Sequence, residues 1–172
     1  TNRKGFREKV KNVFKVNVYI ATDKSGVKNQ HRAYVSIVEF ITKSGEPLTR
    51  EAYGVEKATG NRIMLIALNS ALCILTKPCE VTVYMNCPYV TETIRKGRVY
   101  EWISNGWKTI KGEPIANREE WEKIVRLTER HELVFVAVKK HSYSDRLQYD
   151  IRKLKGQNWQ QQEIGGEGFN GD

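Results

Sequence analysis

Cysteine, proline, histidine and methionine are all scarce: three, four, three and two in 172 residues. Cys73, Cys79 and Cys87 form no Cys-x-x-Cys pair, and no histidine stands close enough to complete a zinc motif. An odd, sparse count argues against a disulfide framework and for a reducing compartment. All three are expected to be small buried side chains. No run of about 18 apolar residues occurs, so no membrane-spanning helix is expected. No charged-then-apolar leader opens the sequence as given, and a cytoplasmic location is the expectation. What is present suffices for one domain with a loose stretch at each end, since 40% of the residues are apolar.

The net charge is +9, and it is concentrated. Residues 1–15 carry +5, and residues 95–111, with Arg95, Lys96, Arg98, Lys108 and Lys111 against Glu101, carry +4. The rest of the chain is neutral. Clustered cations beside a neutral body mark a polyanion binder, with a merely solvated basic face as the alternative.

Apolar and β-rich runs over 16–21, 33–42 and 48–57, separated by short turns, predict three strands in an antiparallel meander. Thr59-Gly60-Asn61-Arg62 opens a helix over 63–75 that is apolar nearly all round, hence buried, and Lys77-Pro78 stops it. Residues 80–86 make a fourth strand, and the strand–helix–strand step implies that it runs parallel to the first. A short helix over 89–97 leads into a Trp- and Lys-bearing stretch, 98–117. A charged helix over 118–130, a fifth strand over 132–138 and a last helix near 143–154 follow. The fold class is therefore α/β in mixed α+β form: a five-stranded mixed sheet flanked by helices. The expected organisation is a basic arm at 1–15, the domain at 16–154 and a flexible Gln- and Gly-rich tail at 155–172.

Four local features occur in order. They are Thr59-Gly60-Asn61-Arg62 before an apolar helix, Tyr89-Val90 after a strand, and Asn105-Gly106-Trp107-Lys108-Thr109 to Pro114-Ile115-Ala116-Asn117 with Trp121. The last is His141 with Asp150 nine residues on. Together they resemble the type 1 ribonuclease H family over residues 16–154. The resemblance implies a ribonuclease H-like fold and metal-dependent cleavage of RNA–DNA hybrids. It also implies a basic handle over the Trp- and Lys-bearing stretch.

In that family four carboxylates hold two divalent ions, one activating water and the other stabilising the leaving oxygen. The resemblance places Asp23 first and Asp150 fourth, as catalytic and metal-binding residues. Met64 stands at the second position and Asn86 at the third. A thioether is a poor ligand for magnesium, and Asn86 offers an oxygen without charge. Mg2+ or Mn2+ is the expected ion if one is bound at all. Asp145, and behind it Glu56 and Glu51, could move in as a replacement acid. His141 matches the family's mobile histidine. Asn86 could be a substitution that traps substrate, but Met64 favours natural degeneration. The turn from Asp23 to His31 has one glycine, and Pro88 replaces a groove-reading Gln.

For binding, Thr59 and Asn61 match contacts to the DNA backbone. Trp102, Trp107, Lys108 and Lys111 sit in the handle, where aromatic faces and cations can straddle a nucleic acid. Packing between handle and body is the competing role for the tryptophans, above all Trp121. The expected function is a monomeric nucleic-acid-binding domain, for RNA–DNA hybrid or duplex RNA, with a lost or weakened two-metal site. An active hybrid ribonuclease with a rearranged site and a protein-interaction module that keeps only the fold are the alternatives.

Overall fold

The computed structural model describes residues 13–23 and 26–166, with side chains to 157. The expected arm, apart from its last residues, therefore lies outside the described residues. Five strands form one mixed sheet in the order β3-β2-β1-β4-β5. β1 (Phe14–Thr22), β2 (Gln30–Ile41) and β3 (Pro47–Ala58) pair antiparallel in sequence. β4 (Cys79–Tyr84) lies parallel to β1, and β5 (Glu132–Val136) parallel to β4. The parallel β1–β4 step needs a crossover, and α1 (Gly60–Ile74) supplies it.

Strand alternation divides the core in two. Val16, Val18 and Ile20 of β1 face α1, where they join Ile63, Leu65, Leu68, Leu72, Val81 and Val83. Tyr19, with Ala33, Val35 and Ile37, faces the other way and packs on Leu147 and Ile151 of α5 (Ser144–Gly166). Arg32–Glu39 of β2 is buried throughout because helices cover both faces of the sheet there. α2 (Pro88–Arg95), α3 (Arg98–Ser104) and α4 (Arg118–Thr128) complete the α1 side.

Three local readings change. The stretch after residue 97 contains a helix, α3, entered through Gly97 in the left-handed region at φ 65°. Cys73 is exposed, while Cys79 and Cys87 are buried, because residue 73 falls on the side of α1 that carries none of its buried residues. α5 runs on to Gly166 through the segment read as tail. Its glutamines are good helix formers but carry no apolar period, so periodicity gives no sign of the helix. No helix among the described residues is long and apolar enough to cross a membrane.

His131 joins α4 to the start of β4. It is buried, its Nδ1 accepts the Cys79 N–H at 3.1 Å, and Nε2 has no hydrogen-bond partner among the described residues. Burial, aided by Arg130, lowers its pKa, and burial lowers that of His141. A depressed histidine pKa means that the unfolded chain takes up the proton first. The stabilisation is thus complete above the ordinary value of about 6.5 and is lost as pH falls through it. The urea midpoint should be lower at pH 5.5 than at 7.5, and less so in His131→Gln. A flat or inverted pH dependence would contradict this.

Candidate active-site cleft and basic handle

The carboxyl end of β1, the amino end of α1, the segment after β4 and the amino end of α5 converge on a cleft of about 650 Å³. Such a crevice beyond the strand ends is where mixed and parallel sheets place ligand sites. Asp23, Asn61, Met64, Asn86, Pro88, His141, Asp145 and Gln148 are among its walls. Each position follows from local sequence. Thr59 caps α1, its Oγ1 accepting the Arg62 N–H at 3.3 Å, so Asn61 and Met64 fall in the first turns. The loop after β1 is held by Gly60, whose N–H donates to the Gly26 carbonyl at 2.8 Å. Buried Arg32 ties that loop to β3, donating to the carbonyls of Lys28 at 2.9 Å and Ala58 at 2.8 Å.

Asp23 is buried and receives the Lys155 ammonium on Oδ1 at 3.1 Å. Leu154, the residue before the lysine, packs against the same cluster of Tyr19, Val35 and Leu147 as Ala21 of β1, which keeps this turn of α5 on the sheet. Met64 is 9% exposed at the back of the cleft, and Asn86 is exposed on its wall. Both line the cleft with Asp23.

Asp150 does not share the cleft. It lines a separate groove with Val35, Glu51 and Tyr53, where Arg146 pairs with Glu51 and its Nε lies 3.9 Å from the Asp150 carboxylate. Helix geometry gives the reason. Gln148 faces the cleft, and two residues on, about 200° round the helix, Asp150 must face away. The carboxylate that α5 brings to the cleft is Asp145 in its first turn. Glu51 is engaged in that other groove, and Glu56 sits exposed on β3, so neither lines the cleft.

His141 packs against the Tyr19 ring at 4.8 Å, and its Nδ1 accepts the Tyr143 N–H at 3.1 Å. That bond leaves the proton of the neutral ring on Nε2. Tyr19 stacks on Tyr84 at 4.6 Å to form an aromatic floor. Burial, then neighbouring Glu39, pushes the Tyr19 pKa up to about 12, and a short hydrogen bond to Glu39 does the same for Tyr143. Both phenols stay protonated near neutrality and serve as packing.

The stretch expected to form a handle is built on edge-to-face and tilted aromatic contacts. Tyr89 meets Trp121 at 5.8 Å, Trp121 meets Trp102 at 5.8 Å, and Trp102 meets Trp107 at 6.3 Å. Trp121 Nε1 donates to Tyr89 Oη at 2.9 Å. Trp107 is buried and Trp102 half-buried, so the tryptophans join handle to body and present little ring to a ligand. Trp107 is held at φ 60°, with the Arg118 guanidinium 5.7 Å from its ring. Lys108, Ile110 and Lys111 are exposed at the tip and flank a shallow groove with Arg98, Asn105 and Thr109. Thr59 is engaged in its cap and does not line the cleft, whereas Asn61 does.

The RNase H family model matches residues 15–147. The chain belongs to the ribonuclease H family. It is 34% identical over 128 residues to a ribonuclease H of Lachnoclostridium phytofermentans, covering 74% of this chain and 81% of that one. It is 30% identical over 125 residues to a ribonuclease H of Clostridium botulinum, covering 73% and 84% respectively. In fold it is similar to LC9-RNase H1, a type 1 RNase H with the type 2 active-site motif. That match has TM-score 0.66 and 21% identity, over 83% of this chain and 71% of that one. The PFV RNase H domain matches at TM-score 0.59 and 17% identity, over 83% of this chain and 93% of that one.

A two-ion site of the kind that the ribonuclease H family implies does not fit these side chains. Among the described residues, no group of three His, Cys, Asp or Glu is placed to hold a metal ion. The cleft offers two carboxylates, one amide oxygen and one thioether, and an ammonium group already sits on Asp23. Two hard dications need more anionic oxygen than that.

Proposed function

We propose that this ribonuclease H-family domain binds RNA–DNA hybrid or duplex RNA and retains little or no metal-dependent cleavage. The observation that carries the reading is the pairing of Met64 and Asn86 on the cleft wall with an exposed basic handle tip at Lys108 and Lys111. Cations and aromatic-supported loops remain available for a backbone, while the charge needed to seat two dications is missing.

Asp145 favours a second reading, an active hybrid ribonuclease with a rearranged site, because it returns one carboxylate to the cleft. A cleavage assay on a hybrid with Mg2+ or Mn2+ separates the two. Robust cleavage that disappears in Asp23→Ala would establish the second reading. Binding without cleavage supports the first, and absence of any gel shift points to a protein-interaction role.

Hybrid affinity should fall steeply with salt. Replacing both Lys108 and Lys111 by alanine should flatten the slope of log K against log salt by about 1 for each phosphate no longer neutralised. An unchanged slope, read by fluorescence anisotropy across a salt series, would remove the handle tip from the interface.

A further inference from the structure

We propose that the cleft holds a phosphodiester backbone without a divalent ion, with Lys155, Lys139 and Lys140 supplying the positive charge. The inference rests on the nucleic-acid-binding reading above. Two carboxylates, Asp23 and Asp145, line the cleft, and Lys139 and Lys140 line it with them. Lys155 adds a third ammonium, 3.1 Å from Asp23 Oδ1. Among the described residues, three ammonium groups, counting Lys155 beside the lining, therefore stand against two carboxylates. His141 does not alter the count near neutrality, because burial lowers its pKa.

The arrangement in depth matters as much as the count. The Asp23 side chain is 9% exposed and that of Lys155 is 41% exposed, so the carboxylate is largely shielded while its lysine partner is open to solvent. An approaching polyanion meets the ammonium first. Lysine binds phosphate as a point charge with three donors, and one donor on Asp23 leaves two. Lys139 and Lys140 are exposed on the cleft wall. Asn86 adds an amide that can donate to a phosphate oxygen, and neutral Met64 adds no repulsion. A fixed ammonium neutralises a phosphate but offers no open coordination position to activate water. The same side chains therefore favour binding and supply no metal-type route to cleavage.

The test is hybrid affinity at matched ionic strength, by fluorescence anisotropy, in excess EDTA and in Mg2+. Binding in EDTA should be at least as tight as in Mg2+, since Mg2+ competes for the phosphates as a counterion and the cleft needs no bound ion. Lys155→Met should weaken binding in EDTA by roughly three- to ten-fold, the order expected when one phosphate loses its cation, while Lys155→Arg stays near the parent. Should Lys155→Met fold poorly, the exposed pair Lys139→Gln and Lys140→Gln carries the same expectation. Affinity that collapses ten-fold or more in EDTA, or that ignores these substitutions, overturns the inference but leaves hybrid binding intact. No binding in either buffer overturns both.

Discussion

Trp121→Ala is expected to destabilise the protein by about 3–5 kcal/mol, the usual cost of emptying a tryptophan site in a packed core. Trp121 is fully buried and stands between Tyr89 and Trp102 at 5.8 Å from each ring. Its loss opens a cavity that the flanking rings cannot fill, because each is held from another element. Tyr89 Oη would also lose the indole N–H donor, keeping the 3.3 Å hydrogen bond from Asn117 Nδ2. Urea unfolding should show a lower midpoint with an unchanged slope. Trp121→Phe should cost less, since a ring remains and only part of the volume and the hydrogen bond go. A loss in Trp121→Ala below about 1 kcal/mol would mean that the handle does not depend on this column. The column also joins the handle to the cleft, since Tyr89 lines the cleft wall.

Met64→Glu combined with Asn86→Asp should create a divalent-ion response that the parent lacks. Four carboxylates would then face one another in the cleft. Without metal they repel, and Glu at a position only 9% exposed in the parent incurs desolvation as well. The variant should therefore melt below the parent in EDTA. Saturating Mg2+ should reverse this, since an ion at a hundred times its Kd stabilises the folded state by about 2.7 kcal/mol. For a chain of this size each kcal/mol moves Tm by about 2–4 °C. Differential scanning fluorimetry with and without Mg2+ reads the effect. A comparable Mg2+-linked rise in the parent would show that Asp23 and Asp145 already hold an ion, and the reading of a weakened site would fall. Lys155 remains as a competitor for Asp23, so adding Lys155→Met should strengthen the response.

Much of the framework was legible from local pattern. Apolar alternation located β1, β2 and β3, and the Thr59 cap located α1. Asp23 follows Thr22, the last paired residue of β1, and Asn86 lies two residues beyond the end of β4. Both line the cleft, as does Met64. Each of these positions depends on a strand end or a helix start, which nearby residues set.

The rest depends on rotation and on distant partners. Choosing between Asp145 and Asp150 requires the phase of α5, and each residue turns a helix by about 100°. That phase is set by Leu147 and Ile151 docking on Tyr19 and Ile37, far away in sequence. Trp107 could point outward or inward until Trp102 and Arg118 packed against it. Lys155 and Asp23 are 132 residues apart, and no local pattern couples them. Local pattern was enough for the family's order of elements and for placing Met64 and Asn86 near a helix start and a strand end. Long-range packing settled which acid reaches the cleft and which cation meets Asp23, because burial against distant residues fixes how each helix is turned.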